Sequence, residues 1–421
     1  MSVPPVMRSD VVVLGAGIVG ICVALHLQKR GRSVVLLDRR GAAEETSYGN
    51  AGLIQREGVY PYGFPHDFGA LIRYGFNRTI DAYYHPSALP GLAPFLWQYW
   101  KYSRPARHAE VARKYSKLIE HCVSEHDALA AEAGAAGFFR RKGWIKVFRT
   151  EQERDKRFAE AARWHGEFGV NYRALDARTL QDMEPHLAPV LTGALHWTDP
   201  VSVDDPRGLA HLYLRLFERL GGLFVQGNAA SLGADGQSWR IRTAQGPLAA
   251  GSAVIALGPW AEVLTQALGY DLPLAVKRGY HMHYHAAGEA RLNHPILDTE
   301  RGYFLAPMRQ GIRLTTGAEF ARRDAIKTPV QLGRAEPIAR DLFPLAQRLD
   351  TEPWMGARPC TPDMLPIIGK APRHSNLWFA FGHAHHGLTL GPVTGRLLAE
   401  MITGETVFVD PTPYSPDRFA R

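Results

Sequence analysis

Apolar positions come in short bursts along this chain, and the first burst is the most informative. Val11-Val12-Val13-Leu14 is an unbroken apolar run that stops at Gly15-Ala16-Gly17-Ile18-Val19-Gly20. An amphipathic segment follows to Lys29-Arg30-Gly31, and a second apolar run, Val34 to Leu37, ends on Asp38. Such runs suit strands buried on both faces, so the pattern predicts strand, glycine turn, helix, strand, acid. Gly15 permits the tight turn, Gly17 lets a pyrophosphate approach backbone N–H groups, and Gly20 lets helix pack on strand. Asp38 stands about 20 residues past the first glycine, where a carboxylate accepts hydrogen bonds from a ribose. This stretch predicts dinucleotide binding without choosing between FAD and NAD.

Periodicity is lost from Glu57 to about Pro94, a stretch rich in Gly, Pro and Tyr. A structureless loop of that length is uncommon unless it has a function. A lid, a partner surface and an elaborate connection between domains are all open readings. Helices are predicted over Phe95–Tyr102, Ala109–Ala136 and Glu151–Phe168, with a strand over Gly143–Phe148. Asp204-Asp205-Pro206 opens a helix, Arg207–Leu220, that Gly221-Gly222 ends. Strands are predicted at Leu223–Val225, Trp239–Thr243 and Ala253–Leu257, the last stopping at Gly258-Pro259-Trp260, where a helix begins. Residues 276–285 and 303–319 read as antiparallel strands with polar interruptions, unlike the buried parallel runs at the start.

At 421 residues the chain predicts two domains. Cys22, Cys122 and Cys360 are scattered without metal-ligand spacing, which argues against a disulfide framework or zinc and fits a reducing compartment. The net charge of +8 admits acidic small molecules, anionic lipid or nucleic acid as partners. No short run concentrates Lys and Arg, so no nucleic-acid partner is expected. The opening residues lack the order of charged, apolar and cleavage regions of a secretory leader, and no stretch reaches the ~18 apolar residues of a membrane span. The expectation is a cytoplasmic protein, with peripheral attachment to the inner face of the membrane left open.

The C-terminal part carries a family resemblance. Trp354-Met355-Gly356-Ala357-Arg358-Pro359-Cys360-Thr361-Pro362-Asp363-Met364-Leu365-Pro366-Ile367-Ile368-Gly369 resembles the G-x-R-P-x-T-P-D-x-x-P-x-I-G segment of the D-amino-acid dehydrogenase/oxidase superfamily. Gly382-His383-Ala384-His385-His386-Gly387 and the segment Leu388–Thr403 resemble that family's last glycine/histidine loop and final helix. Thr46–Gly52 (TSYGNAG) and Ala256–Trp260 (ALGPW) match its other cofactor contacts. The matches run in order along nearly the whole chain. They are nearest to the small-subunit or single-chain branch of the bacterial D-amino-acid dehydrogenases; glycine oxidase-like and sarcosine oxidase-like proteins are similar but fit less well.

The resemblance implies an α/β fold. An FAD-binding Rossmann-like domain of the glutathione-reductase type would come from 1–60, 190–265 and 350–421. A second α+β domain, built on an antiparallel sheet from 61–189 and 266–349, would bind the substrate. It implies FAD without a covalent bond, because Cys360, directly before Thr-Pro-Asp, is not placed like the flavin-linked cysteine of sarcosine oxidases.

On this reading Gly15, Ala16, Gly17, Ile18, Val19 and Gly20 hold the pyrophosphate, and Asp38 with Arg39 meets the adenosine. Arg39-Arg40 after the acid also suits the 2′-phosphate of NADP, but beside the flavin pattern the pair reads as a solvated cluster or as adenosine-phosphate contacts. Ser47, Gly49, Asn50, Ala51 and Gly52 would lie against the isoalloxazine. Ala229 would meet the adenine through its backbone, and Gly258 with Trp260 would make a second backbone approach. Gly382, His383, Gly387, Leu388 and Thr389 lead into a helix whose N-terminus would stabilise negative charge on a reduced flavin. The H-x-H-H spacing on a tight loop does not point three imidazoles at one ion, so no metal is expected; His385 or His386 would face the active site.

Arg358 is the expected carboxylate anchor, since a guanidinium matches a carboxylate with two parallel hydrogen bonds; pairing with Asp363 or a backbone carbonyl is the alternative. Tyr280 and Tyr303 would add hydroxyls from the sheet roofing the flavin, or merely pack. Arg278 is a second arginine candidate, Lys277 would contact flavin or solvent, and Tyr48 would sit at the flavin edge. The implied reaction is hydride removal from Cα of a D-amino acid, including one like D-proline or D-hydroxyproline, with electrons passed to a quinone or other non-oxygen acceptor. Alternatives are an oxidase of glycine, sarcosine or another N-alkyl amino acid, an FAD subunit of an opine-oxidising complex, and an NADP-linked dehydrogenase.

Overall fold

The computed structural model of the protein describes residues 6–419. The leader-peptide reading of Met1–Pro5 and the last two residues of the expected FAD-binding segments lie outside the described residues.

Two large sheets organise the chain. In the first, Met7–Leu14 runs parallel to Val34–Asp38 on one side and to Gly246–Ile255 on the other. Leu223–Gln226 extends it beyond Val34–Asp38, also in parallel. Gly246–Ile255 serves two partners: its first half pairs antiparallel with Ser238–Thr243, and Ala253–Ile255 pairs parallel with Leu377–Phe381. Leu14, Leu37 and Ile255 stand in register, so the strands end at one edge. Ligands of open α/β sheets bind at the carboxyl ends of the strands.

Ile18–Lys29 is a helix with nine of its twelve residues buried. It packs against the final helix, Gly387–Thr403, and small residues set the distance. A Cβ on Gly395 would stand 2.6 Å from the Cys22 backbone, and one on Gly391 3.2 Å from Ile18.

The second sheet is built mainly from antiparallel pairs. Its longest strand, Ala275–Ala286, pairs with Trp354–Cys360 along one side and with Gly311–Thr316 and Ala318–Phe320 along the other. Beyond these lie Tyr303–Met308, Ile296–Asp298, Trp144–Phe148, Gly193–Trp197 and Tyr172–Asp176.

Several expectations change. Residues 303–319 form three strands, not one run, divided at Arg309-Gln310 and at Gly317. Residues 109–136 fall in two helices, Pro105–Ile119 and Cys122–Ala133. The stretch from Glu57 to Pro94 has structure of its own: the helix Phe68–Gly75, capped by the Asp67 carboxylate on Ala70 N–H, the strand Ala82–Tyr84, and the start of the helix Leu89–Tyr102. Gly193–Trp197 and Trp354–Cys360, expected within the FAD-binding segments, belong to the second sheet. Apolar periodicity says which residues form a strand, not which sheet it joins. No helix among the described residues is long and apolar enough to cross a membrane.

Candidate functional site

A cavity of about 1140 Å³ runs from the edge of the first sheet to the face of the second. At one end stands the glycine turn. Gly15 has φ +106°, and a Cβ there would lie 2.5 Å from the Ala256 carbonyl oxygen. Gly17, at the cap position of the first helix, has no side chain to accept a bond, and that N-terminus lines the cavity. Asp38 accepts from Ala16 N–H at 2.8 Å through one carboxylate oxygen and from Arg40 N–H at 3.1 Å through the other. Ser47 Oγ accepts from Ile18 N–H at 3.0 Å. Ala229, Gly258 and Trp260 line the same end. Arg39 lies 4.8 Å over the Trp260 ring and 3.4 Å from Glu45, while Arg40 pairs with Glu45 at 2.6 Å. Both arginines of the Asp-Arg-Arg run are thus occupied by the protein.

The other end is a corner between strands. Arg358 and Lys277 are cross-strand partners, as are Gly356 and Gly279. A Cβ on Gly279 would stand 2.3 Å from an Arg358 Nη, so the missing side chain makes room for the guanidinium. One Nη donates to the Gly317 carbonyl at 3.0 Å. Asp363, the rival acid partner, pairs instead with Arg418 at 2.7 Å. No carboxylate among the described residues pairs with Arg358. Burial lowers its pKa from the ordinary arginine value. A guanidinium desolvated without an anion favours a carboxylate ligand.

Around it stand groups from distant segments. The Tyr62 ring packs on His385 at 4.9 Å, and the Lys277 ammonium sits 3.8 Å over the Tyr99 ring. Burial, then His386, Arg358 and Lys277, hold the His385 pKa well below the usual histidine range, so its ring is neutral at pH 7. His383 bonds Thr394 at 2.8 Å and His386 bonds the Tyr115 hydroxyl at 2.6 Å. Gly387 and Leu388, at the N-terminus of the final helix, line the cavity, and that helix too has no side-chain cap.

The structure brings Gly15, Ala16, Gly17, Ile18, Val19, Asp38, Arg39, Ser47, Gly49, Asn50, Ala51, Ala229, Gly258, Trp260, His383, His385, Gly387, Leu388 and Arg358 to one cavity. Others stand behind it. Gly20 supports the turn: a Cβ there would meet the Gly15 carbonyl at 1.8 Å. Gly52, at φ +77°, faces the Val203 backbone, and Gly382, at φ +86°, faces Thr361. Thr389 donates to the Leu53 carbonyl at 3.1 Å and accepts from Gln55 N–H at 3.2 Å, tying that strand to the final helix. Gly49 lines the cavity, but its missing side chain makes room for the Trp354 ring.

The three expected tyrosines differ in where their hydroxyls go. Tyr280 shares its hydroxyl with Glu319, Arg278 and Thr328 N–H, each at 2.9 Å. Tyr303 donates to the Ile338 carbonyl on the helix Val330–Leu342. Both border the cavity, but their hydroxyls are engaged on the strand face opposite Lys277, Gly279 and His281, because side chains alternate along a strand. Tyr48 lies instead in a smaller cavity of about 470 Å³ with His281, Asp350 and Trp354. Arg278 is not a substrate group either: it is fully buried and paired with Glu319 at 2.5 Å.

Sequence reasoning missed Tyr62, Tyr99, Trp144, Lys146, Arg157, Gly279, Phe304 and Gly317, all on the cavity wall. The only signal for Tyr62 was the length of the irregular stretch after Glu57; Tyr99 fell in the predicted helix Phe95–Tyr102 with nothing to mark it. Lys146 lies among the rings of Trp144, Trp197 and Trp164, at 5.4, 5.7 and 5.8 Å.

The residues present fit a flavin dinucleotide. Two helix N-termini, the first with its Ile18 N–H taken by Ser47 and the last without a side-chain cap, suit its anionic groups, small residues give flat walls, and the cavity joins them. The model of the FAD dependent oxidoreductase family matches residues 10–401. The chain is 30% identical to a D-amino acid dehydrogenase of Chromohalobacter salexigens, over 98% of this chain and all of that protein. It is 28% identical to a D-amino-acid oxidase of Bradyrhizobium diazoefficiens, over 97% and 98% of the two chains. Its fold is similar to the crystal structure of glycine oxidase from Geobacillus kaustophilus, with a TM-score of 0.74 at 23% identity, covering 98% and 99%. The chain belongs to the FAD dependent oxidoreductase family, as an oxidoreductase of amino acids.

Proposed function

We propose that the chain catalyses oxidative deamination of a D-amino acid. The substrate loses hydride from Cα, the resulting imino acid hydrolyses to a 2-oxo acid and ammonia, and the electrons pass to a quinone or another non-oxygen acceptor. The observation that carries this reading is Arg358, a guanidinium at the cavity wall with no carboxylate partner and a glycine beneath it. The D configuration follows the names of the two relatives, both given as acting on D-amino acids.

FAD, when bound, supplies the two-electron acceptor. Gly15–Val19 and Asp38 would hold its dinucleotide end, and Ser47, Asn50, Ala51 and Gly387–Leu388 its ring end. No covalent link is proposed, because burial raises the pKa of the Cys360 thiol and leaves it unreactive. Arg358 fixes the substrate carboxylate, and with it the direction of the Cα–H bond. Neutral His385 adds no charge to repel the amino group. Buried Tyr99 keeps water from the corner, with exposed Tyr62 at its mouth. The first sheet carries the cofactor and the second the substrate. A chain of net charge +8 also suits reversible attachment to an anionic membrane.

The test is anaerobic titration of the yellow protein with single D- and L-amino acids. Loss of the flavin absorbance with a D-amino acid and not its L-enantiomer is expected. Recolouring by a quinone analogue but not by air supports a dehydrogenase. Rapid recolouring by air shows an oxidase, and no bleaching by any amino acid overturns the proposal.

A further inference from the structure

The helices Phe68–Gly75 and Leu89–Tyr102 each carry two stripes. On the first, Leu71, Tyr74 and Gly75 line the cavity. On the second, Leu89, Leu96 and Tyr99 do so. The opposite stripes are apolar as well, yet they face outward. Phe68 is 74% exposed, Phe76 68%, Trp97 56% and Ile72 48%. Phe68, Ile72 and Phe76 are spaced four apart, which puts them on one face. No residue of Phe68–Gly75 is buried. A helix amphipathic in pattern but buried nowhere has an apolar face that the fold does not use.

The two outward faces adjoin. The His66 ring, just ahead of the first helix, lies 5.3 Å from the Trp100 ring. Trp100 stacks on Trp97 at 5.1 Å, Lys101 sits over Trp97 at 5.0 Å, and Arg104 over Trp100 at 4.5 Å. Between Gly58 and Arg107 the basic residues are Arg73, Arg78, Lys101, Arg104 and Arg107, against Asp67 and Asp81. Asp67 caps its helix, and Asp81 accepts from the Tyr74 hydroxyl at 2.5 Å and pairs with Arg73 at 3.9 Å, so the stretch keeps a net positive charge.

We infer that this face docks on an anionic lipid bilayer. Aromatic and aliphatic side chains enter the headgroup region, and the basic groups of the same stretch, Lys101 and Arg104 over the tryptophans among them, meet lipid phosphates. Charge decides against a second copy of the chain, since a two-fold contact through this face sets its basic groups against themselves. Docked so, the cavity opens toward the membrane behind Leu71, Tyr74 and Leu96. That route for a lipid-soluble acceptor rests on the quinone reading above; the docking does not.

The test uses the FAD-loaded protein with phosphatidylcholine vesicles, with and without phosphatidylglycerol. Flotation with the anionic vesicles alone is expected, weakening as salt rises. Phe68→Ser/Phe76→Ser/Trp97→Ser, and separately Arg73→Glu/Arg104→Glu, should each weaken it by at least about tenfold. Bleaching by a substrate amino acid in solution is read on the same samples and should not change, since none of these residues lines the cavity. Absence of wild-type flotation, equal flotation of the variants, or a concentration-dependent dimer that the apolar variant abolishes would each overturn the proposal. A failure of bleaching with flotation intact would count against the proposed reaction alone.

Discussion

The glycine turn and the arginine corner close opposite ends of one cavity, and they recognise by different means. The turn works with backbone. Its N–H groups sit at the N-terminus of the first helix, and its parts lie between Val11 and Asp38, with Ser47 accepting from Ile18 N–H and Ala256 as a wall. The corner works with side chains. Arg358, Gly279, Gly317, Tyr62 and His385 come from five separate segments. Glycine matters in both places for different reasons. Gly15 holds a backbone angle and a backbone contact, whereas Gly279 leaves a volume that another residue's side chain fills.

The sharpest break falls on the turn. Gly15→Ala puts a Cβ within 2.5 Å of the Ala256 carbonyl at a left-handed φ that alanine disfavours. FAD affinity should drop by at least about a hundredfold, with protein purified colourless; a yellow variant with full affinity would show that the turn does not approach the cofactor. Arg358→Ala should raise the amino-acid KM by about a hundredfold, the scale for removing one partner of a desolvated charge pair. FAD should stay bound. Loss of flavin with an unchanged KM would reverse the roles of the two ends.

Gly279→Ala sharpens the comparison, because its Cβ meets only the far end of a side chain, 2.3 Å from an Arg358 Nη. The guanidinium must move, so KM should rise about tenfold with FAD affinity intact. The smallest effect per residue is on stability. Burial lowers the pKa of His383, His386 and His26 to about 3 and that of His126 to about 4. The unfolded chain therefore binds more protons below the ordinary histidine pKa of about 6.5. Stability should be level above pH 7 and fall as pH drops from 6.5, by on the order of 1 kcal/mol per imidazole near pH 5.5. A melting temperature that stays flat from pH 7 to pH 5 would show that these rings are not held neutral.

How far each region was legible follows from the same contrast. The strand–turn–helix–strand unit, the final helix and Arg358 could all be read from local pattern or motif. The roles of Tyr280 and Tyr303 could not. Both border the cavity, yet their hydroxyls bond within the protein, and which way a strand residue faces depends on what covers the sheet. Gly49 lines the cavity as expected of its loop, but that its missing side chain makes room for the Trp354 ring could not be read from the sequence. The stretch after Glu57 was legible only as unusually long; its helix has no buried face from which to infer a partner inside the fold.

The sequence by itself determined the dinucleotide turn, the acid that follows it and the order of the segments that build the cavity. Those features rest on backbone angles and on residues close in the chain. Only the tertiary structure decided which strands join which sheet, which face of each strand meets the cavity, and that Arg358 lies over Gly279 with no acid beside it. These depend on pairings between residues up to several hundred positions apart, which no local pattern records.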